Sequence, residues 1–331
     1  AEGALAPLLA AAQGWQARGV PRRALALLDL REGATADLAP GDERRGLGLV
    51  LRARIHRFGG ELDEALRWAR RAEEAARSGG WPRVGALARL RVAQVTHLRG
   101  DREASLRLHR AVLDDLLALG LEQAAAEAEQ ALADLALRAG ALDDAERGFA
   151  GATRRFESAG DPAGAGNCLR ARALVARRRD DRASAVAWIE RAMERYAQVG
   201  HLSGRADCLN SLAELDREAG RLGEAQAGYE QAVELQDAVG AATAGIFPRI
   251  NLALVLLAQQ RWAEAEAPLQ RCQELLEGAG RQGVLGCVLT FRAAADAGLG
   301  RWSEAEARLD RAEPALAEAG VGEADVAWSA A

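Results

Sequence analysis

Apolar and polar positions along this chain follow a helical rhythm that restarts at regular intervals. Five segments share one pattern: Gly60-Glu-Leu-Asp-Glu-Ala65, Gly140-Ala-Leu-Asp-Asp-Ala145, Gly220-Arg-Leu-Gly-Glu-Ala225, Gln260-Arg-Trp-Ala-Glu-Ala265 and Gly300-Arg-Trp-Ser-Glu-Ala305. Each is a turn residue, then an apolar residue, then acids, then a marker alanine. Degenerate copies lie at 19–24, 100–104 and 180–185. Acids in a first turn meet free backbone amides and the positive end of the dipole, so each copy predicts a helix start. Apolar residues follow each marker on a three-and-four spacing: Trp68/Ala69 and Ala72, Leu108 and Ala111, Phe149 and Ala152, Ile189 and Ala192, Tyr229 and Ala232, Leu269 and Cys272, Leu309 and Ala312. That spacing gathers them on one helical face. A second helix is predicted ahead of each marker, where a small residue stands twelve positions back at Ala12, Ala53, Ala133, Ala173, Ala213, Ala253 and Ala293, with Val92 as the exception. Small residues at both places allow two helices to approach closely.

Glycine punctuates the same rhythm. Gly80, Gly120, Gly160, Gly200, Gly240, Gly280 and Gly320 recur every forty residues, and Gly60, Gly100, Gly140, Gly220 and Gly300 fall midway, where Asp180 and Gln260 break the series. Glycine ends a helix with little steric cost because it accepts a left-handed backbone, so the two series predict helix stops. A fixed period of roughly 20–50 residues marks an array whose units bury their apolar faces only against each other. The fold class is therefore read as all-α: an α-solenoid of about eight helix-turn-helix units, one array over 1–331. The expected units span 3–32, 43–79, 82–119, 121–159, 162–199, 202–239, 242–279 and 282–319, with 321–331 starting a further helix. A loop is expected over 32–42, and Pro268 and Pro314 inside second helices predict bends in the last two units.

Composition narrows the picture. Hydrophobic residues make up 49 % of the chain but aromatics only 4 %, which suits closely packed helices. No run is long and apolar enough for a membrane helix, and no basic-then-apolar leader opens the chain. The expected location is cytoplasmic. A net charge of −5, with all 43 basic residues arginine and 48 acids, describes a mixed solvated surface rather than a nucleic-acid footprint. Cys168, Cys208, Cys272 and Cys287 are read as packing residues, the first two in equivalent slots. His56, His97, His109 and His201 are scattered without metal-ligand spacing, and no phosphate-binding loop or nucleophile motif occurs. Acid pairs such as Asp143-Asp144 are read as helix-start charge rather than a general acid and base, and Arg177-Arg178-Arg179 as a solvated helix end. Neither a cofactor nor catalysis is expected of this chain. Trp68, Trp188, Trp262 and Trp302 are assigned to packing. The chain begins at Ala1, has Met193 as its only methionine and stops where a repeat would begin, so a piece of a longer polypeptide is expected.

The turn glycine, the marker alanine, the larger residue four on, the alanine three further and the small residue twelve back together resemble the tetratricopeptide repeat, in a forty-residue form. The resemblance implies a right-handed superhelix whose first helices line a concave groove for a protein or peptide ligand. It implies ligand-facing residues at the second, sixth, ninth and thirteenth positions of each unit. Carried onto this chain, the candidate partner-binding residues are Asp134, Arg138, Asn167, Arg178, Asp207, Glu214, Glu218, Phe247, Asn251, Leu254 and Phe291. The groove so drawn is polar in the middle and apolar toward the C-terminal units, and Asn251 is placed to hold a ligand backbone. Arrays of this kind are similar to C-terminal regions of bacterial multidomain signalling proteins, such as serine/threonine kinases and ATPase-coupled regulators. The expected function is a non-catalytic interaction scaffold. The alternative is an inducer-sensing domain with a small-molecule pocket near Phe247, Leu254 and Phe291, as in maltose-regulon activators.

Overall fold

The computed structural model describes residues 42–240, 245–278 and 280–318. The expected unit 3–32, the loop before Asp42 and the helix expected over 321–331 lie outside the described residues. Within them the chain forms fourteen helices and no strand. These are α1 (Glu43–Phe58), α2 (Leu62–Gly79), α3 (Pro82–Leu98), α4 (Arg102–Ala118), α5 (Glu122–Arg138), α6 (Leu142–Ser158), α7 (Pro162–Arg178), α8 (Arg182–Gln198), α9 (Leu202–Glu218), α10 (Leu222–Ala238), α11 (Ile246–Ala258), α12 (Trp262–Leu276), α13 (Gln282–Gly298) and α14 (Trp302–Glu318). Even-numbered helices start forty residues apart, from Leu62 to Trp302. The chain divides into two compact units, one ending at Val175 and the other starting at Ala176, within the last turn of α7.

The stops are set by the glycines. Gly60, Gly80, Gly100, Gly120, Gly140, Gly160, Gly200, Gly220, Gly240, Gly280 and Gly300 all have positive φ. After Gly160 the Asp161 amide reaches back to the Phe156 carbonyl at 2.8 Å, closing the Schellman arrangement that satisfies an orphan carbonyl. Asp180 (φ 59°) and Gln260 (φ 60°) hold the same left-handed conformation without glycine. Helix starts are capped where the sequence supplies an acceptor. The Asp101, Asp161 and Asp181 carboxylates accept the amides of Ala104, Gly164 and Ser184 at 2.8–3.0 Å, and His201 Nδ1 accepts that of Gly204 at 2.9 Å. Pro268 and Pro314 lie within continuous helices α12 and α14.

In the first unit α1 packs on α2, α3 on α4 and α5 on α6, and α3 also touches α1 and α5. The buried stripe of α6 is Ala145, Phe149, Ala152 and Phe156. A Cβ added at Gly148 would stand 2.8 Å from Ala133 Cβ, which shows how closely α5 and α6 approach. The second unit repeats this. Tyr229 is buried on α10 with Ala213, Ala225 and Val255 around it, and a Cβ at Gly228 would stand 2.9 Å from Ala213 Cβ. Each large side chain removed from water in this stripe contributes roughly 1.5–3 kcal/mol.

Two sequence assignments are corrected here. On α4 the buried stripe is Ser105, His109, Val112 and Leu116, one residue beyond the expected Ala104, Leu108 and Ala111. With Ser105 as the marker, the small residue twelve back is the buried Ala93, and the apparent exception at Val92 disappears. Polar residues in apolar slots had hidden the register. On α14 Leu309 is exposed, and burial falls on Ala305, Ala312 and Ala315.

Candidate partner-binding face

The slots of the odd helices differ in exposure, and the helix packing explains why. Thirteenth-position residues, from Phe58 and Leu98 through Arg138 and Arg178 to Glu218, stand exposed at helix ends. Of the sixth-position residues, Leu51, Arg91 and Phe291 are buried, whereas Ala131, Ala171, Ser211 and Asn251 are half-buried. Phe291, expected on the ligand-facing surface, is only 4 % exposed and belongs to the core with Ile250, Leu256, Leu269 and Val288. A phenyl ring in a slot bordered by the preceding odd helix fills the gap between them instead of meeting solvent.

In the unit ending at Val175 the row is held by ionic contacts. Asp134 on α5 receives Arg138 Nε at 2.8 Å and lies 3.2 Å from His97 Nε2 on α3. The hydrogen bond from His97, then that from Arg138, hold the Asp134 carboxyl below the usual carboxylate range. Asn167 is exposed on α7. A tighter group precedes these. Arg91 Nη1 donates to Glu127 Oε2 at 2.6 Å and to Gln94 Oε1 at 2.7 Å, while Gln94 Nε2 donates to the same Glu127 oxygen at 2.8 Å. Burial pushes the Glu127 carboxyl up, but Arg91 and Arg54 outweigh it and hold it down at about 2. Beneath this row His109 is buried on α4. Desolvation lowers it to about 4, against the pull of the Ser105 carbonyl, 2.9 Å from its Nδ1.

In the unit starting at Ala176 the row is richer in acids. Arg177 Nη1 donates to Glu214 at 2.7 Å and Nη2 to Glu218. Burial alone would lower the Arg177 guanidinium, yet Glu214 and Glu218 hold it above its ordinary value. Asn251 Nδ2 donates to Asn210 Oδ1 at 3.1 Å and to Glu214 Oε1 at 3.4 Å, and Asn210 Nδ2 donates to Glu214 Oε1 at 3.0 Å. Asn251, expected to hold a ligand backbone, is thus engaged with its own chain. Asp207 accepts Gln236 Nε2 at 3.3 Å, and Arg178 is exposed. Leu254 is half-buried, and Phe247 is 51 % exposed with the Arg281 guanidinium 5.3 Å from its ring centroid. Sequence reasoning missed Arg177 and Asn210, because neither stands in a ligand-facing slot of the resembled repeat. It also missed Arg54, Arg91 and Gln94, which fill those slots when the numbering is extended back to α1 and α3.

The tryptophans divide. Trp68 is flanked by Arg52 and Arg71 at 4.8 and 4.7 Å, Trp188 by Arg191 at 4.8 Å, and Trp262 lies against Gly298. Trp302, expected to pack, is 70 % exposed. The four cysteines are free, and three of them are buried. Among the described residues no group of three metal-ligating side chains exists, and no helix is long and apolar enough to cross a membrane.

No family model matches the chain, and no curated protein matches it. Solved structures do. One is the signal transduction ATPase with numerous domains from Pyrococcus horikoshii, described as having a tetratricopeptide repeat sensor; it has a TM-score of 0.64 at 12 % identity over 82 % of this chain and 42 % of that one. A Rap protein complexed with competence and sporulation factor has a TM-score of 0.61 at 12 % identity, covering 96 % of this chain and 99 % of its own. Aspartyl phosphate phosphatase F from Bacillus subtilis has a TM-score of 0.60 at 16 % identity, covering 89 % and 77 %. At such identities the likeness is one of fold, and the chain is built as a tetratricopeptide-like array of helical repeats.

Proposed function

We propose that this chain is a non-catalytic scaffold of the forty-residue tetratricopeptide type, acting in the cytoplasm as the partner-binding region of a bacterial multidomain signalling protein. The observation that carries the reading lies on α9 and α11. Two carboxylates, Glu214 and Glu218, share the single guanidinium of Arg177 at the end of α9, and the half-exposed ring of Phe247 at the start of α11 offers an apolar contact. An extended segment bearing a basic side chain near an aromatic or aliphatic one complements that order of charge and surface. The names of the structural neighbours support a regulatory setting, since one is described as carrying a repeat sensor and another as complexed with competence and sporulation factor. The phosphatase among them shares fold with this chain, which does not carry its activity over.

Calorimetric titration tests the reading. Peptides pairing an arginine with a nearby aromatic residue are expected to bind saturably and to lose about tenfold in affinity with Phe247→Ala, about 1.4 kcal/mol. Saturable binding of a metabolite, with no peptide binding, would replace the scaffold by the inducer-sensor reading.

A further inference from the structure

The charge on α1, α3 and α5 is out of balance. Three arginines, Arg54 and Arg57 on α1 and Arg91 on α3, share one carboxylate, Glu127 on α5. Arg91 uses that carboxylate directly, with its side chain 5 % exposed and that of Glu127 18 % exposed. The side chains of Arg54 and Arg57 make neither a hydrogen bond nor an ion pair among the described residues, and the Nε atoms of all three arginines are buried without a partner. Arg57 instead rests over the Phe58 ring at 4.4 Å. The other nearby acid, Asp161 at the start of α7, accepts the Gly164 amide at 2.8 Å and Gln123 Nε2 at 2.9 Å and keeps its charge, so three guanidiniums face two carboxylates.

Half-buried guanidiniums without an ion-pair partner are costly, and proteins ordinarily pair such charges. Here burial, with Arg91 adding to it, pulls Arg57 down to about 10, and burial lowers Arg54 as well, against the pull of Glu127. Guanidinium is a fork of fixed donors that stays charged and matches the oxygens of phosphate and similar groups. The uncompensated positive charge calls for an anion. We propose that Arg54 and Arg57, with Arg91 behind them, form a binding site for a tetrahedral oxyanion of the phosphate or phosphate-monoester class. The site is independent of the peptide-binding reading, since it lies in the unit ending at Val175 and uses none of the residues of α9 and α11.

The full chain, titrated with inorganic phosphate at constant ionic strength against chloride, tests the proposal. Phosphate is expected to bind saturably and raise the melting temperature, whereas chloride does neither. The Arg54→Gln/Arg57→Gln double variant is expected to lose at least tenfold in affinity with unchanged helicity. Glu127→Gln removes the competing carboxylate and is expected to strengthen phosphate binding. A merely destabilised protein would not respond in that direction. A phosphoserine peptide that binds more tightly than both inorganic phosphate and its unphosphorylated twin identifies a partner-borne group; equal affinities identify the free ion. No saturable response to phosphate or phosphopeptide in the wild-type chain, or the same response in the double variant, would overturn the proposal.

Discussion

The two compact units are built from the same repeat, yet the candidate binding rows on their odd helices balance charge differently. In the unit ending at Val175, guanidiniums outnumber the carboxylates near them, and the side chains of Arg54 and Arg57 make no ion pair among the described residues. In the unit starting at Ala176, two carboxylates share Arg177, and Asn210 and Asn251 complete the network. The framework beneath is the same. Gly148 faces Ala133 in one unit as Gly228 faces Ala213 in the other, and Phe149 and Tyr229 fill one slot. The lesson is a division of labour: small residues, glycine stops and the buried stripe fix the helices, and a few odd-helix positions are left to vary in chemistry.

The largest expected effect tests whether the framework is shared. Phe149→Ala and Tyr229→Ala each empty the same buried slot and are expected to cost about 3–5 kcal/mol, measured by chemical unfolding. Losses differing by more than about 2 kcal/mol would break the equivalence of the units.

Acid is expected to separate them. His109 has a folded pKa of about 4, below its ordinary 6.5, so the unfolded chain takes up the proton first and stability falls as pH drops from 6.5 to 4. Glu127, held at about 2 against an ordinary 4.5, adds a second loss as pH drops from 4.5 toward 2. Both groups belong to the unit ending at Val175. Melting followed against pH is expected to show that unit weakening first, and His109→Leu to remove the upper window, worth at most about 3 kcal/mol. An unchanged pH profile in that variant would contradict the assignment.

The smallest expected effect concerns the stops. Asp180→Gly and Gln260→Gly relieve a left-handed backbone at non-glycine residues and are expected to stabilise by about 0.5–1 kcal/mol. Gly140→Asp, the reverse change in the other unit, is expected to cost a similar amount.

Much of this was legible in the sequence, because periodicity reports local geometry. The glycine series located the helix stops, and Asp180 and Gln260 stood out as replacements that keep the glycine conformation. What escaped depended on contacts between repeats. Arg91 and Glu127 stand 36 residues apart and become partners only when α3 and α5 lie side by side. Phe291 occupies a slot that reads as ligand-facing by position, yet its size draws it into the core. Ser105 and His109, polar residues in an apolar stripe, shifted the apparent register of α4 by one residue.

The central claim is that odd-helix positions carry recognition while the framework only presents them. Selection from a positional-scanning peptide library tests it most directly, run in parallel on the wild-type chain, Phe247→Ala, Glu218→Gln and the framework variant Gln260→Gly. The wild-type chain and Gln260→Gly are expected to select the same peptides, basic residues near an apolar one, with Phe247→Ala losing the apolar preference and Glu218→Gln the basic one. Identical selections from all four proteins, or a changed selection from Gln260→Gly alone, would contradict it.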